Sequence, residues 1–275
     1  MPINRVTPSQ RLLQPFRVLF TRREAVRFFV IREIRARYIN SALGVWWTVI
    51  EPLVLLLVYT FIFSRVMNAR FGTSGGEGEY ALYVFCGLLP WLAFSDGVMR
   101  SASVLLEQTP LLKKVVFPSE ILPLHLVVSA ILVEFVGLGV LLAAVIVSGR
   151  PPSWPILILP FVMLLQFLFT AGIAWMLATF TVFLPDMRPA VNLLLTIWMF
   201  LTPIVYPATM VPERYRWVQN LNPLSHLVDA YRATLLDDRL PALVPFVAFA
   251  LVATVVFVSG HWAFTRSKQA FADFL

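Results

Sequence analysis

Charge and cysteine are both scarce in this sequence. Only 13% of its 275 residues are charged, about half the share of an ordinary soluble domain, while 59% are hydrophobic. Cys86 is the one cysteine and lies in an apolar run, which excludes an internal disulfide and a cysteine-based metal site. The three histidines, at 125, 226 and 261, are far apart and predict no metal site. These shortages argue against a soluble domain and favour a chain embedded in a bilayer.

Motifs for catalysis and nucleotide binding are also missing. The glycine-rich stretch 72–78 lacks the Lys of a phosphate-binding loop, and neither H-E-x-x-H nor G-x-S-x-G occurs. No paired acidic motif stands on a plausible catalytic loop. We therefore expect no enzyme activity and no cofactor bound by this chain, so uphill transport would need a partner or an ion gradient.

Six apolar stretches are long enough to cross a membrane, which takes roughly 20 helical residues. The sequence thus predicts an all-α integral membrane protein with six transmembrane helices. The predicted spans are 46–67, 80–105, 121–148, 155–184, 190–209 and 241–264. An even number of spans places both termini of this multi-pass chain on one side.

Basic residues decide which side that is. With the termini in the cytoplasm, the inner segments hold 14 Lys and Arg and the outer segments 7, as the positive-inside rule requires. Nine of the 22 lie before residue 45, so the net charge of +7 indicates anchoring at a membrane surface rather than nucleic-acid binding. We expect both termini in the cytoplasm.

Two segments predict helices that do not span. In 21–38, Val26, Val30, Ile34 and Tyr38 form one ridge of an amphipathic interfacial helix rich in Arg. Its arginines can reach headgroup phosphates, and two interpretations stay open: anchoring alone, or contact with a substrate phosphate.

The second segment precedes the last span. Asn222-Pro223 is typical of a helix start, and Pro203 and Pro207 favour a broken, re-entrant path. Short helices within 212–237 that dip into the outer leaflet or pack on the bundle are expected, with a simple surface helix as the alternative.

Ionisable residues inside spans usually face a bundle interior or a cavity. Asp96 and Arg100 are four residues apart on one helix and can form an ion pair. Glu134 and Glu51 are the other cases, and Glu51 has no local partner in the sequence. Pro52 behind it favours a kink.

Aromatic side chains recur at helical spacing in the first and fifth predicted spans. The first carries Trp47, Tyr59 and Phe63 on the ridge of Glu51, and the fifth carries Trp198, Thr202 and Tyr206. Membrane proteins place Trp and Tyr at interfaces in any case. A channel lined by these residues would suit sugar rings, whose C–H faces stack on aromatics, and this remains a hypothesis.

The short connector 107–120 joins the second and third spans on the cytoplasmic side. Two prolines bracket a run of alternating apolar and basic residues. An ordinary positive-inside loop and a docking point for a soluble motor subunit both fit this composition. The residues that would make the contact are Leu111, Leu112, Lys113, Lys114 and Phe117.

Several blocks together resemble the permease subunits of ABC-type polysaccharide exporters, especially the O-antigen and lipopolysaccharide group. The resemblance runs from about residue 20 to the end. The blocks are R-E-I-R-A-R-Y at 32–38, L-G-V-W-W-T-V-I-E-P at 43–52, G-L-L-P-W at 87–91, L-L-K-K-V-V-F-P at 111–118, N-P-L at 222–224 and F-A-D-F at 271–274.

The resemblance implies a single permease domain over 1–275 in the cytoplasmic (inner) membrane, acting as a homodimer with two ATP-binding subunits. ATP and magnesium would lie on those partners. The cargo would be a glycan on an isoprenoid diphosphate lipid, with Arg32, Arg35, Arg37 and Tyr38 at the diphosphate entrance. The two aromatic ridges would line the channel, and 107–120 would couple to the ATPase.

Other functions fit the sequence less well. Capsular polysaccharide or teichoic-acid export is the nearest alternative, followed by export of a small molecule. An integral-membrane glycosyltransferase would carry clustered acidic residues on a large hydrophilic loop, which is lacking here. An ion-coupled transporter would be expected to carry more intramembrane carboxylates than this sequence has, and repeated halves, of which no clear sign is present.

Overall fold

The computed structural model describes residues 23–38, 41–66, 78–110, 118–184 and 186–274. Within these ranges the side chains of Tyr38, Val45, 63–65 and 272–274 are outside the description. All regular structure in the described ranges is helical. The predicted all-α class is therefore confirmed for this part of the chain.

Nine α-helices are described and are numbered here in chain order. They are α1 Arg23–Tyr38, α2 Trp47–Thr60, α3 Glu79–Glu107, α4 Ile121–Val147, α5 Leu159–Phe183, α6 Met187–Leu201, α7 Arg216–Leu221, α8 Pro223–Leu235 and α9 Leu243–Phe274. A π-helical turn, Phe61–Val66, continues α2, and a 3-10 turn, Trp154–Ile158, precedes α5.

Four helical segments are long and apolar enough to cross a membrane, rather than the six predicted. They are Glu79–Glu107, Ile121–Val147, Trp154–Phe183 and Leu243–Ser267. The helices at the other two predicted spans, α2 and α6, have 14 and 15 residues. At 1.5 Å per residue each α-helix is about 22 Å long, against a hydrocarbon core of about 30 Å. The π-helical turn Phe61–Val66 extends the helical path that begins with α2. The six-span count is thus supported at four positions.

The backbone shows why these two helices are short. In α2, Pro52 lies inside the helix and the regular α-helix gives way to π geometry at Phe61. Helix α6 ends at Leu201, where Thr202 adopts an extended conformation just before Pro203. The residue before a proline disfavours the helical conformation, so α6 stops there.

The long helices form the packed centre of the molecule. The most extensive contacts join α5 to α9 and α3 to α4. Gly172 of α5 and Gly260 of α9 meet backbone to backbone, so a side chain at either position would have no room. Small residues at a crossing let membrane helices approach closely. Phe94 and Phe169 stack in the core between α3 and α5, and Trp198 of α6 packs edge-to-face against both rings.

The antiparallel course of the long helices gives the bundle two ends. Helix α1 packs against α4 and lies where α3 ends and α4 begins. Helices α7 and α8 lie at the opposite end, hereafter the far end. The predicted start of α8 is confirmed: Asn222 Oδ1 accepts a hydrogen bond from the Leu224 amide at 3.1 Å, with Pro223 next in sequence. Nearly all of α8 is buried against α3, α5 and α9.

Candidate functional site

A cavity of about 460 Å³, the membrane cavity, lies between α2, α3, α4 and α6. All four intramembrane ionisable residues identified in the sequence line it: Glu51, Asp96, Arg100 and Glu134. Arg37 of α1 also reaches its edge. The four residues come from three different helices, α2, α3 and α4, so their convergence was not visible in the sequence. Such a concave site with few polar groups is where a membrane transporter is expected to admit cargo.

An ion network fixes α1 to α3 at one side of this cavity. The predicted Asp96–Arg100 contact is confirmed at 3.4 Å between Oδ2 and Nη1. The same Asp96 oxygen accepts a hydrogen bond from Arg37 Nη2 at 2.5 Å, and Arg100 also pairs with Glu33. These side chains are between 24% and 33% exposed in the described protomer, so the network is not fully buried within it. The pair predicted within one helix is therefore the centre of a bridge between two helices.

A second cavity, the α1-end cavity, has a volume of about 310 Å³ and lies beside this network. Arg32, Arg100 and Arg188 line it with His125 and two carboxylates, Glu33 and Glu107. His125 Nε2 is 3.7 Å from Glu33 Oε2, and Arg188 Nη1 is 3.9 Å from Glu107 Oε1. Its polar, cation-rich lining can receive an anionic group.

The structure places the predicted diphosphate residues in different surroundings. Arg32 lines the α1-end cavity, where its guanidinium lies 5.7 Å from the Phe29 ring, and it forms no ion pair with the described part of the chain. Arg35 is exposed, whereas Arg37 is held by Asp96. The side chain of Tyr38 lies outside the description. Arg32 and Arg35 are thus open to a ligand, and Arg37 would have to exchange its partner.

Glu134 belongs to a buried polar triad that the sequence did not predict. Gln166 of α5 donates to Glu134 Oε2 at 2.8 Å, and the Tyr231 hydroxyl of α8 lies 2.7 Å from Glu134 Oε1. The same hydroxyl is 2.5 Å from Gln166 Oε1. Each side chain is at most 3% exposed. The triad ties α4, α5 and α8 together, and the one available signal was the isolated Gln166 within an apolar span.

The aromatic ridge of α2 meets the membrane cavity at one point. Of the predicted lining side chains that the structure describes, Glu51 alone borders this cavity. Trp47 is 41% exposed, Tyr59 is half-buried, and the Phe63 side chain is outside the description. Glu51 is exposed and makes no hydrogen bond or ion pair within the described ranges.

The predicted lining residues near the end of α6 are engaged in local hydrogen bonds. Trp198 Nε1 donates to Asn222 Oδ1 at 2.8 Å, and Asn222 Nδ2 donates to the Thr202 hydroxyl at 2.9 Å. Thr202 is fully buried. Tyr206 donates its hydroxyl proton to the Phe200 carbonyl. In the described protomer these contacts connect α6 to the start of α8, and the lining role stays a prediction.

The predicted coupling residues Leu111, Leu112, Lys113, Lys114 and Phe117 lie outside the described residues. The segment that follows them is firmly attached. Lys268 of α9 pairs with the Glu120 carboxylate at 2.9 Å, and Trp175 Nε1 donates to the Glu120 carbonyl at 3.0 Å. The connector therefore leads into the bundle at the α1 end.

Comparison with known proteins gives a consistent result. The sequence model of the family described as ABC-2 type transporter matches residues 24–236. An O-antigen export system permease protein RfbA from Myxococcus xanthus is 33% identical over 264 residues, which cover 95% of this chain and 99% of that protein.

Two further relatives are more distant. A Klebsiella pneumoniae O-antigen export system permease protein RfbA is 28% identical, over 89% of this chain and 92% of its own. The polysialic acid transport protein KpsM of Escherichia coli is 23% identical, over 89% and 94%.

Proposed function

The chain belongs to the ABC-2 type transporter family, and we propose that it is the membrane subunit of an ATP-driven exporter of lipid-linked polysaccharide. The observation that carries this proposal is the 33% identity to an O-antigen export permease over nearly the full length of both chains. The cargo is an O-antigen type glycan on an isoprenoid diphosphate, moved across the cytoplasmic membrane. Both termini lie in the cytoplasm, which makes the α1 end the cytoplasmic end.

The diphosphate binds at the α1 end. Arg32 and Arg35 make the first contacts, since neither is paired with a carboxylate in the described ranges. Arg37 joins them when the diphosphate competes with Asp96, which is only partly buried. Tyr38 lies beside Arg37 in sequence and completes this site. Guanidinium groups suit phosphate because they donate two parallel hydrogen bonds.

The glycan path lies between two copies of the chain. Exposed apolar side chains on the short helices support a homodimer through this side. They include Leu57 of α2, Phe61 of the π-helical turn that follows it, and Leu193 and Phe200 of α6, all at 60–67% exposure. The lining residues are Trp47, Glu51, Tyr59, Phe63, Trp198, Thr202 and Tyr206. Trp198, Thr202 and Tyr206, whose side chains form hydrogen bonds near the end of α6, become available to the glycan when α6 and α8 move apart.

Two ATP-binding subunits supply the energy. They dock on 107–120 through Leu111, Leu112, Lys113, Lys114 and Phe117, while ATP and magnesium remain on those subunits. The anchored Glu120 transmits their movement to α5 and α9. Reversing the charge of Lys113 and Lys114 to Glu should weaken ATPase association, with Arg214→Glu at the far end as the matched control. Equal association of both variants would contradict the docking role.

Capsular polysaccharide is the second candidate cargo. The similarity to KpsM supports it, at a lower identity than the similarity to O-antigen permeases. The docking of the ATP-binding subunits and the path between two copies of the chain would serve either cargo.

The deciding experiment has two parts. Cells that lack this gene should lose surface glycan and accumulate lipid-linked glycan inside, and the intact gene should restore export. The purified chain with its ATPase should then hydrolyse ATP faster with isoprenoid-diphosphate-linked glycan than with free glycan or free lipid. Normal surface glycan in the deletion strain would refute the function. A complex that hydrolyses ATP but ignores the lipid-linked glycan would refute the cargo.

A further inference from the structure

A third cavity, the far-end cavity, lies at the opposite end of the bundle from α1. It has a volume of about 460 Å³ and is enclosed by the start of α3, the end of α4, the stretch 203–209 and helices α7 and α8. Neither the membrane cavity nor the α1-end cavity shares a lining residue with it in the described ranges. It is large enough to hold a small ligand.

One wall of this cavity carries a buried hydroxyl without a partner. Ser225 is 8% exposed, yet its Oγ makes no hydrogen bond within the described part of the chain. A buried hydroxyl is costly when left unpaired, so a rotation of the Ser225 side chain that brings Oγ to the cavity surface would be favoured by a ligand that bonds it. Asn220 and His226 line the same wall, and His226 Nε2 is 2.9 Å from the Asn220 carbonyl.

Charge in the far-end cavity is balanced, which distinguishes it from the α1 end. Among the described lining residues, Arg150, Arg232 and Arg239 face Glu79, Asp229 and Asp237. Arg150 pairs with Glu79, and Arg239 pairs with Asp229 at 2.7 Å and with Asp237 at 3.2 Å. Arg232 donates to the carbonyls of Pro203 and Ile204, each at 2.7 Å. The arginines are engaged, so a neutral ligand is favoured over a phosphate.

The remaining lining suits a hydroxyl-rich ring. Paired carboxylates keep free lone pairs that accept hydrogen bonds from hydroxyl groups. Leu82, Leu236 and Pro207 add an apolar surface on which the C–H face of a sugar can rest. Few other neutral ligands combine many donors and acceptors with an apolar face.

We propose that the far-end cavity binds a neutral sugar unit of the exported glycan, with Ser225 and Asn220 among the groups that bond its hydroxyls. This inference rests on the proposed function. It makes the far end a second contact for the cargo, where the protein binds the saccharide rather than its diphosphate. The glycan would then be held at both ends of its path.

The test uses the full-length chain in lipid nanodiscs. The probe is the oligosaccharide released by mild acid from the surface polysaccharide of cells that carry this gene, and binding is followed by NMR saturation transfer. Ser225→Met projects a longer side chain from the cavity wall, occupies part of the space for the ring, and should weaken binding about tenfold or more. Ser148→Met, on an exposed serine at the same end, should stay within about twofold of the unsubstituted chain.

Asn220→Ala provides a second variant in case Ser225→Met does not fold, and it should weaken binding roughly threefold through the loss of hydrogen bonds. Inorganic pyrophosphate should not displace the oligosaccharide. The proposal is overturned if affinity is unchanged in folded Ser225→Met or, when that variant does not fold, in Asn220→Ala. Displacement of the oligosaccharide by pyrophosphate would also overturn it, as would a cavity that holds only water. If binding fails while the gene still restores export, the sugar site is wrong and the function stands. If the gene does not restore export, the function itself fails.

Discussion

The four long helices and the two short ones are built from the same apolar residue types, but they use them differently. Helices α3, α4, α5 and α9 bury glycines, polar side chains and aromatics against one another. Helices α2 and α6 leave much of their apolar surface uncovered, as Leu57 at 67% and Leu193 at 62% exposure show. The long helices therefore form a scaffold around shared buried groups, and α9 also exposes an outer apolar face, as Leu251 at 64% exposure shows. The short helices have few buried positions and are suited to contacts outside the chain.

Polar groups at the centre of the bundle also differ from those beside the short helices. In the scaffold, the triad of Glu134, Gln166 and Tyr231 is fully buried and links three helices. Beside the short helices, Asp96 and Arg37 form a partly exposed ion pair. A buried network specifies one arrangement because breaking it leaves polar groups unpaired. An ion pair that is not fully buried costs less to open, so it can exchange partners.

The largest effect is expected where the scaffold is tightest. A Cβ at Gly172 would lie 2.7 Å from the Phe257 backbone nitrogen and even closer to the Val256 carbonyl. Gly172→Val should therefore separate α5 from α9 and lower the free energy of unfolding by about 3 kcal/mol. Denaturation in detergent would measure this.

Gly139→Val is the matched control for that substitution. It stands in α4 with no atom within 4 Å of its added Cβ, and should change stability by less than about 1 kcal/mol. Equal effects of the two substitutions would show that the α5–α9 crossing is not the tight contact described.

The next effect should come from the buried triad. Tyr231→Phe removes the hydroxyl that lies between Glu134 and Gln166, and should destabilise the chain by about 1–2 kcal/mol. Tyr215→Phe, on a side chain 48% exposed, is the control and should be neutral. The comparison of scaffold and short helices would weaken if Tyr231→Phe were as stable as the control.

A smaller change is expected in the partly exposed network. Asp96→Asn removes the carboxylate shared by Arg37 and Arg100, and should cost about 1 kcal/mol. Faster hydrogen exchange of the α1 amides would measure the loosening of this helix. Glu213→Gln, in an ion pair where Glu213 is 87% exposed, should leave exchange in α1 unchanged. Protection of α1 that survives Asp96→Asn would mean that the network does not hold this helix.

The smallest effect on stability should come from the uncovered faces. Leu57→Cys on α2 and Leu251→Cys on α9, 67% and 64% exposed, should each change stability by less than about 0.5 kcal/mol. In the proposed homodimer, Leu57→Cys should form a disulfide between two chains on mild oxidation and Leu251→Cys should not. Cys86 is buried and leaves the background low. The opposite crosslinking pattern would place the dimer contact on α9.

Local patterns predicted much of the fold. Apolar length gave the helical class and the four long spans, and the i+4 spacing of Asp96 and Arg100 gave their contact. The Asn222-Pro223 signal placed the start of α8. Each of these depends on residues close in sequence, where the geometry of one helix determines which groups meet.

Long-range contacts were beyond such patterns. Arg37 was predicted to be a diphosphate ligand and is found paired with Asp96, 59 residues away. Gln166 and Tyr231 were not predicted as partners of Glu134, because they come from other helices. The Trp198 and Thr202 side chains were predicted to line a channel. In the described protomer both form hydrogen bonds with the side-chain amide of Asn222.

The sequence by itself determined that this chain is helical and resides in a membrane, since hydrophobic length and charge distribution act locally along the chain. Only the tertiary structure decided which polar groups meet, which helices complete a scaffold, and where cavities of different charge lie. The reason is physical: burial and ion pairing depend on neighbours from distant segments. A periodic pattern shows which face of a helix is apolar, but packing alone determines what covers that face.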